Sequence, residues 1–129
     1  MVVYNKLKEE SDVDMIRRNH ELRKEFRENV RGGQGNVTLE HILEPEDIFN
    51  KGRLFAKITV EPGCGVGEHQ HTGEMEGFYI LRGEATVEDN GQTFVLKEGD
   101  VLYTHDGGSH SLYNSGKTTL EYLAIIISK

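Results

Sequence analysis

The chain has 129 residues, 36% of them hydrophobic and 29% charged, a balance that fits one folded globular domain and excludes disorder along its whole length. Its formal net charge of −7, from 15 basic and 22 acidic residues, repels phosphate backbones and sets aside nucleic acid as the main partner. The longest apolar run, residues 123–127, is far short of the roughly 20 residues of a membrane helix, so no membrane association is expected.

Residues 1–10 lack an apolar export-signal core, and a cytoplasmic location is expected. The lone cysteine, Cys64, cannot close an internal disulfide and reads as a buried or turn thiol. Residues 1–36 are expected to form an N-terminal helical extension. Ser11 followed by Asp12 and Asp14 resembles a helix start, with acids at the positive end of the dipole. Met15, Ile16, Leu22, Phe26 and Val30 then fall roughly on one helical face, and the mixed charges of residues 17–31 read as its solvated side. The glycines of Arg31-Gly32-Gly33-Gln34-Gly35 end it. That turn either remains solvated or folds over the mouth of the following domain and offers Arg31 to an anion.

From residue 37 to 129 the pattern changes to period two. Val37, Leu39 and His41 share one face, with His41 read as a surface or packing residue, as is His20. Leu54, Ala56, Ile58 and Val60 share another, and Phe78 and Ile80 a third. Residues 93–96, 101–103 and 120–127 are further β-like runs. The chain has 15 glycines, where average usage would give about nine, and only two prolines. Many of these glycines fall in turns between the runs. Asn90-Gly91, between Thr86-Val87 and Phe94-Val95, predicts a tight hairpin. Short strands at this spacing predict an all-β sandwich or barrel.

His69-Gln70-His71 carries the chemistry. Strand residues two apart share a face about 6.6 Å apart, so two imidazoles can converge on one ion. A hairpin is then expected to return the chain and bring Glu76 beside the pair, while His110 arrives from a distant glycine-rich segment. Three imidazoles and one carboxylate suit one divalent transition metal (Mn, Fe, Ni, Co or Zn) and not calcium.

These residues carry a family resemblance. Gly63-x5-His69-x-His71-x4-Glu76-x6-Gly83 resembles the first cupin motif in full. Gly99-x5-His105-x-Gly107-x2-His110-x3-Asn114 resembles the second, with His105 where the family usually has proline. The 15-residue gap between them, 84–98, is similar to that of small single-domain bacterial cupins. The resemblance implies a double-stranded β-helix, the cupin jelly-roll barrel, over residues 37–129. It implies that His69, His71, Glu76 and His110 hold a metal inside the barrel. His105 reads as an exposed turn residue or as a group near the barrel mouth. Glu74 reads as a connecting-loop residue, and Tyr79 and Tyr103 as barrel-lining or core side chains.

Four protein ligands on an octahedral ion leave two positions for a chelating substrate, and the site would attract a small anion. The expected function is a metal-dependent enzyme acting on a small anionic or oxygenated molecule, of dioxygenase, decarboxylase or isomerase type. Glu76 would serve as ligand and proton acceptor. The alternative is a non-catalytic, sugar-type binding cupin. Seed-storage cupins are similar only in fold, with two domains in longer chains. A sensor role would need a DNA-binding segment, and one helix does not supply a helix-turn-helix. A homodimer is expected, through the N-terminal stripe or the apolar last strand.

Overall fold

The computed structural model describes residues 15–129. The predicted helix start at Ser11, Asp12 and Asp14 lies outside the described residues. Ten strands account for most of the rest: β1 (Lys24–Glu28), β2 (Asn36–His41), β3 (Gly52–Val60), β4 (Gly65–Gln70), β5 (Glu74–Arg82), β6 (Ala85–Asp89), β7 (Gln92–Leu96), β8 (Val101–Thr104), β9 (Ser109–Tyr113) and β10 (Leu120–Ser128). They form a six-stranded sheet ordered β1-β2-β3-β10-β5-β8 and a four-stranded sheet ordered β4-β9-β6-β7. Every pairing is antiparallel. The all-β jelly roll read from the sequence is therefore the observed architecture.

Alternation along the strands builds the interior. Val37 and Leu39 of β2, Ala56, Ile58 and Val60 of β3, Phe78 and Ile80 of β5, Val87 of β6, Leu112 of β9 and Tyr122 and Ala124 of β10 are all buried between the sheets. The β6–β7 hairpin turns at Asn90 and Gly91, both at positive φ (51° and 85°), with Asp89 opposite Gln92. That conformation is the reason the Asn-Gly pair signals such a turn. Asn114 closes the other end of the barrel. Its amide donates to the carbonyls of Val60 (2.8 Å) and Thr118 (2.9 Å) and accepts from Gly116 N–H (2.9 Å).

The helical extension is not what the described part of residues 1–36 forms. Lys24–Glu28 is a strand, paired residue for residue with β2 from Lys24 opposite Glu40 to Glu28 opposite Asn36. Only short 3-10 turns, Asn19–Glu21 and Val30–Gly32, flank it. The free edge of β2 supplies this segment with a full ladder of backbone hydrogen bonds, which outweighs its local helical pattern. Phe26, expected on an apolar helix face, is 64% exposed on the outside of the sheet. Tyr79 and Tyr103 also face outward, 46% and 59% exposed, because Phe78, Ile80, Leu102 and Thr104 occupy the inward positions of their strands. Among the described residues, no helix is long and apolar enough to cross a membrane.

Candidate metal centre

The backbone brings four side chains to one point in the barrel. His69 of β4 stands opposite His110 of β9, so both imidazoles project from the same face of the smaller sheet. His71 lies just beyond β4 and is strapped to the turn before β9. Its N–H donates to Gly108 O (2.9 Å) and its carbonyl accepts from Gly107 N–H (2.6 Å). Glu76 comes from the opposite sheet. The expected hairpin between the histidine pair and Glu76 is absent, because β4 and β5 belong to different sheets. Residues 71–73 instead cross between the sheets, so the carboxylate faces the imidazoles across the interior.

Glu76 Oε1 lies 2.8 Å from His71 Nε2 and 3.0 Å from His110 Nε2. His110 Nε2 in turn lies 3.3 Å from His71 Nε2 and 3.2 Å from His69 Nε2. All four donor atoms fall within 4.8 Å of one another. An ion with bonds of about 2.1 Å at right angles holds adjacent donors roughly 3.0 Å apart, and these spacings match that requirement. His71, Glu76 and His110 are buried and His69 is half-buried, so water screens the cluster little. Burial holds the His69 imidazole below its ordinary pKa. The hydrogen bond to Glu76 raises that of His71 against its burial. Burial alone would raise Glu76, but hydrogen bonds from His110 and His71 outweigh it and hold the carboxyl below its usual range. With each Nε2 deprotonated, the same atoms would present one carboxylate and three nitrogen lone pairs to a cation.

The outer nitrogen of each imidazole is fixed as well. His69 Nδ1 donates to Gly67 O (2.8 Å), His71 Nδ1 to Glu74 Oε2 (2.5 Å), and His110 Nδ1 bonds Thr104 Oγ1 (2.6 Å). These contacts hold each ring with Nε2 turned inward, the arrangement metal-binding histidines require. Glu74 is the residue the sequence reading missed. It opens β5 instead of lying in a loop, and it also accepts two hydrogen bonds from Arg53 (2.9 and 2.8 Å). Arg53 above all, together with His71, holds the Glu74 carboxyl at about 2. A Glu two residues before a candidate ligand, on the same strand face, is the signal that could have found it.

Beside the cluster lies a cavity of about 120 Å³. Val37, Leu39, Ile58, Phe78, Leu112 and Tyr122 form apolar walls, while Arg27, Arg31 and Arg53 bring positive charge to its lining. The remaining candidates fall elsewhere. His105 is an exposed turn residue whose Nδ1 donates to Asp106 O (2.9 Å). His20 is exposed, and His41 is buried against Glu25 (2.5 Å). Cys64 is half-buried in the turn that follows Pro62.

The cupin-domain family model matches residues 56–126, over half of the chain. A curated relative from Thermotoga maritima, named "Oxalate-binding protein", is 48% identical over 113 residues, which span 88% of this chain and 93% of the relative. A solved structure from the same organism, described as a predicted oxalate decarboxylase, superposes with a TM-score of 0.85 at 47% identity, covering 89% of this chain and all of that one. A mannose-1-phosphate guanylyltransferase from Salmonella montevideo is 36% identical over 77 residues, but the match spans 60% of this chain and only 16% of that enzyme. Two antiparallel sheets enclosing a three-histidine, one-glutamate cluster, and a family match that runs from β3 to β10, make this chain a member of the cupin family.

Proposed function

We propose that His69, His71, Glu76 and His110 hold one divalent transition metal ion, and that the protein uses it to bind and transform a small oxygen-rich anion of the oxalate type. The convergence of three Nε2 atoms and Glu76 Oε1 beside an arginine-lined cavity carries this reading. Bound there, the ion would supply a Lewis-acid centre with coordination positions left for substrate oxygens. The apolar walls lower the local dielectric and so strengthen the charges beside them. Phe78 packs against the His110 ring (centroids 5.0 Å apart) and holds it in place. Glu76 is a ligand first and, as the carboxylate lining the cavity, the group that would take up a proton.

The cavity's volume favours a molecule of a few non-hydrogen atoms. Its ~120 Å³ is well under the roughly 300–1,000 Å³ of pockets that take drug-sized ligands. Arg31, the lining arginine with no ion pair among the described residues, favours a carboxylate over a neutral sugar. The names of the Thermotoga maritima relative and structure point to the same chemical class.

A non-catalytic binding role is the second reading. It is favoured by the cavity lining, which among the described residues holds no carboxylate besides Glu76. One experiment separates the two. Metal-loaded protein is titrated calorimetrically with oxalate and with a hexose, and then assayed for carbon dioxide and formate released from oxalate. Saturable oxalate binding with product release supports the enzyme, and binding without product supports the binder. Absence of oxalate binding, or tighter binding of the hexose, overturns the assignment of the ligand class.

We also propose a homodimer through the outer face of the larger sheet, where Tyr79 sits opposite Val101 and both are exposed. Light scattering at micromolar concentration should give twice the chain mass of 14.6 kDa, and the monomer mass would refute it.

A further inference from the structure

We infer that Arg31, with Arg27 beside it, is the charge-reading element of the cavity. On this assignment Arg31 receives the second negative group of a small dianion whose first group lies at the four-residue cluster. The inference rests on the proposed metal site and names what selects its ligand.

The first observation is an edge strand with its polarity reversed. In β1, Glu25 and Arg27 stand opposite Leu39 and Val37, whose side chains are buried in the barrel, while Phe26 faces solvent. An edge strand with no role at the cavity would turn its aromatic residue inward. Here Arg27 takes that side of the strand instead and, with its side chain 47% exposed, lines the cavity at its solvent edge. Glu25 accepts from it at 3.0 Å, so its charge is largely matched already.

The second observation is the turn that follows. Arg31, an exposed residue, lines the cavity at its solvent edge, and among the described residues its guanidinium has no ion pair or hydrogen bond, unlike Arg27 with Glu25 and Arg53 with Glu74. It is held in the left-handed region (φ 54°, ψ 32°), which a residue with a Cβ adopts at a cost. The turn around it is fastened tightly. Asn29 N–H donates to Gly35 O (2.8 Å), Gly33 N–H to Val30 O (2.8 Å), and Gly65 N–H of β4 to Gln34 O (2.9 Å). The turn sits so close to β4 that a Cβ on Gly67 would stand 2.0 Å from Arg31 O, and one on Gly33 would stand 2.5 Å from Gly65 O. Gly67 O is also the acceptor for His69 Nδ1. The strand that carries a candidate ligand therefore also fixes the turn that carries the unpaired guanidinium.

The third observation is charge. The chain carries a net −7, but the cavity lining holds three arginines against one glutamate, and two of those arginines are paired with Glu25 and Glu74. Arg31 is the lining cation left for a ligand. All three arginines precede residue 56, so the family match at 56–126 does not include them. Arg27 and Arg31 come from the segment that precedes β2, and Arg53 from β3.

The test is Arg31→Gly, because glycine accepts the left-handed conformation and the variant should fold at least as stably as wild type. Metal-loaded wild type and variant are titrated with oxalate and with acetate, and metal content and melting temperature are measured alongside. The expected result is a 10- to 100-fold loss of oxalate affinity, of the order of one charge-assisted ion pair. Acetate affinity should stay within about twofold and metal content should be unchanged. Oxalate binding within twofold of wild type, with metal intact, overturns the role of Arg31 and leaves the metal site standing. An equal loss for acetate and oxalate overturns it too, because the side chain would then not read the second charge. Wild type that loads metal but binds neither anion overturns both this inference and the proposed function.

Discussion

Removing the Glu74 carboxylate tests whether the metal cluster depends on the groups behind it. Glu74→Ala takes from His71 Nδ1 its hydrogen-bond acceptor at 2.5 Å, in a ring that is only 1% exposed. A buried N–H left without a partner costs about 1–3 kcal/mol. A lost carboxylate behind a ligating histidine lowers metal affinity about 10- to 100-fold, or roughly 1.4–2.7 kcal/mol. The two estimates agree, so a 10- to 100-fold weakening is expected. The Arg53 side chain is 53% exposed, and once freed it is hydrated at little cost. Arg53→Ala should therefore weaken binding only a few-fold. Glu74→Gln keeps an acceptor but loses the charge, and a neutral bond has roughly half the strength of a charge-assisted one, which predicts a loss of about 3- to 10-fold. Competition with a chromophoric chelator for Mn or Zn measures all three variants. Wild-type affinity in Glu74→Ala, or an equal loss in Arg53→Ala, would refute the ordering of His71 by Glu74.

Two further outcomes follow from the fold. Hydrogen bonds from His41, Arg27 and Arg23 outweigh the effect of burial and hold the Glu25 carboxyl at about 2, against an ordinary 4.5. A depressed pKa stabilises the folded state fully above the unfolded value, and that contribution disappears as pH falls toward about 2. The stability difference between wild type and Glu25→Gln, about 1 kcal/mol after solvent screening, should be constant above pH 5 and shrink between pH 4.5 and 2 in urea titrations. A difference that does not change down to pH 3 would contradict it. Ile80→Ala, at a fully buried position, should lose about 2–5 kcal/mol in chemical denaturation, and a loss below 1 kcal/mol would show that the described core is not the one that holds the sheets together.

The sequence declared the barrel wherever apolar residues alternate, because Ile58, Val60, Phe78 and Ile80 must face one way in any strand. It declared the four donors because His69, His71, Glu76 and His110 keep fixed spacing to turn glycines. It misled at β1. Leu22, Phe26 and Val30 are four apart, a spacing that fits one helical face and equally one strand face. The inward residues Glu25 and Arg27 are charged, so the alternation that marks the other strands is missing there. Only the free edge of β2, a tertiary fact, decides the matter. Arg27 was hidden for the same reason: it read as the solvated side of a helix until β1 carried it to the cavity, whereas Arg31 was open to two readings, solvated or offered to an anion, and it lines the cavity from the turn after β1. Glu74 was obscured because the chain crosses between sheets at residues 71–73, where a hairpin loop was expected.

Elemental mass spectrometry of purified wild type, His69→Ala and His110→Ala, each after reconstitution and removal of excess metal, tests most directly whether the four-residue cluster holds an ion. About one equivalent of a divalent transition metal per chain is expected in wild type, with most of it lost in both variants. Wild type that retains no metal, or variants that retain a full equivalent, would contradict it.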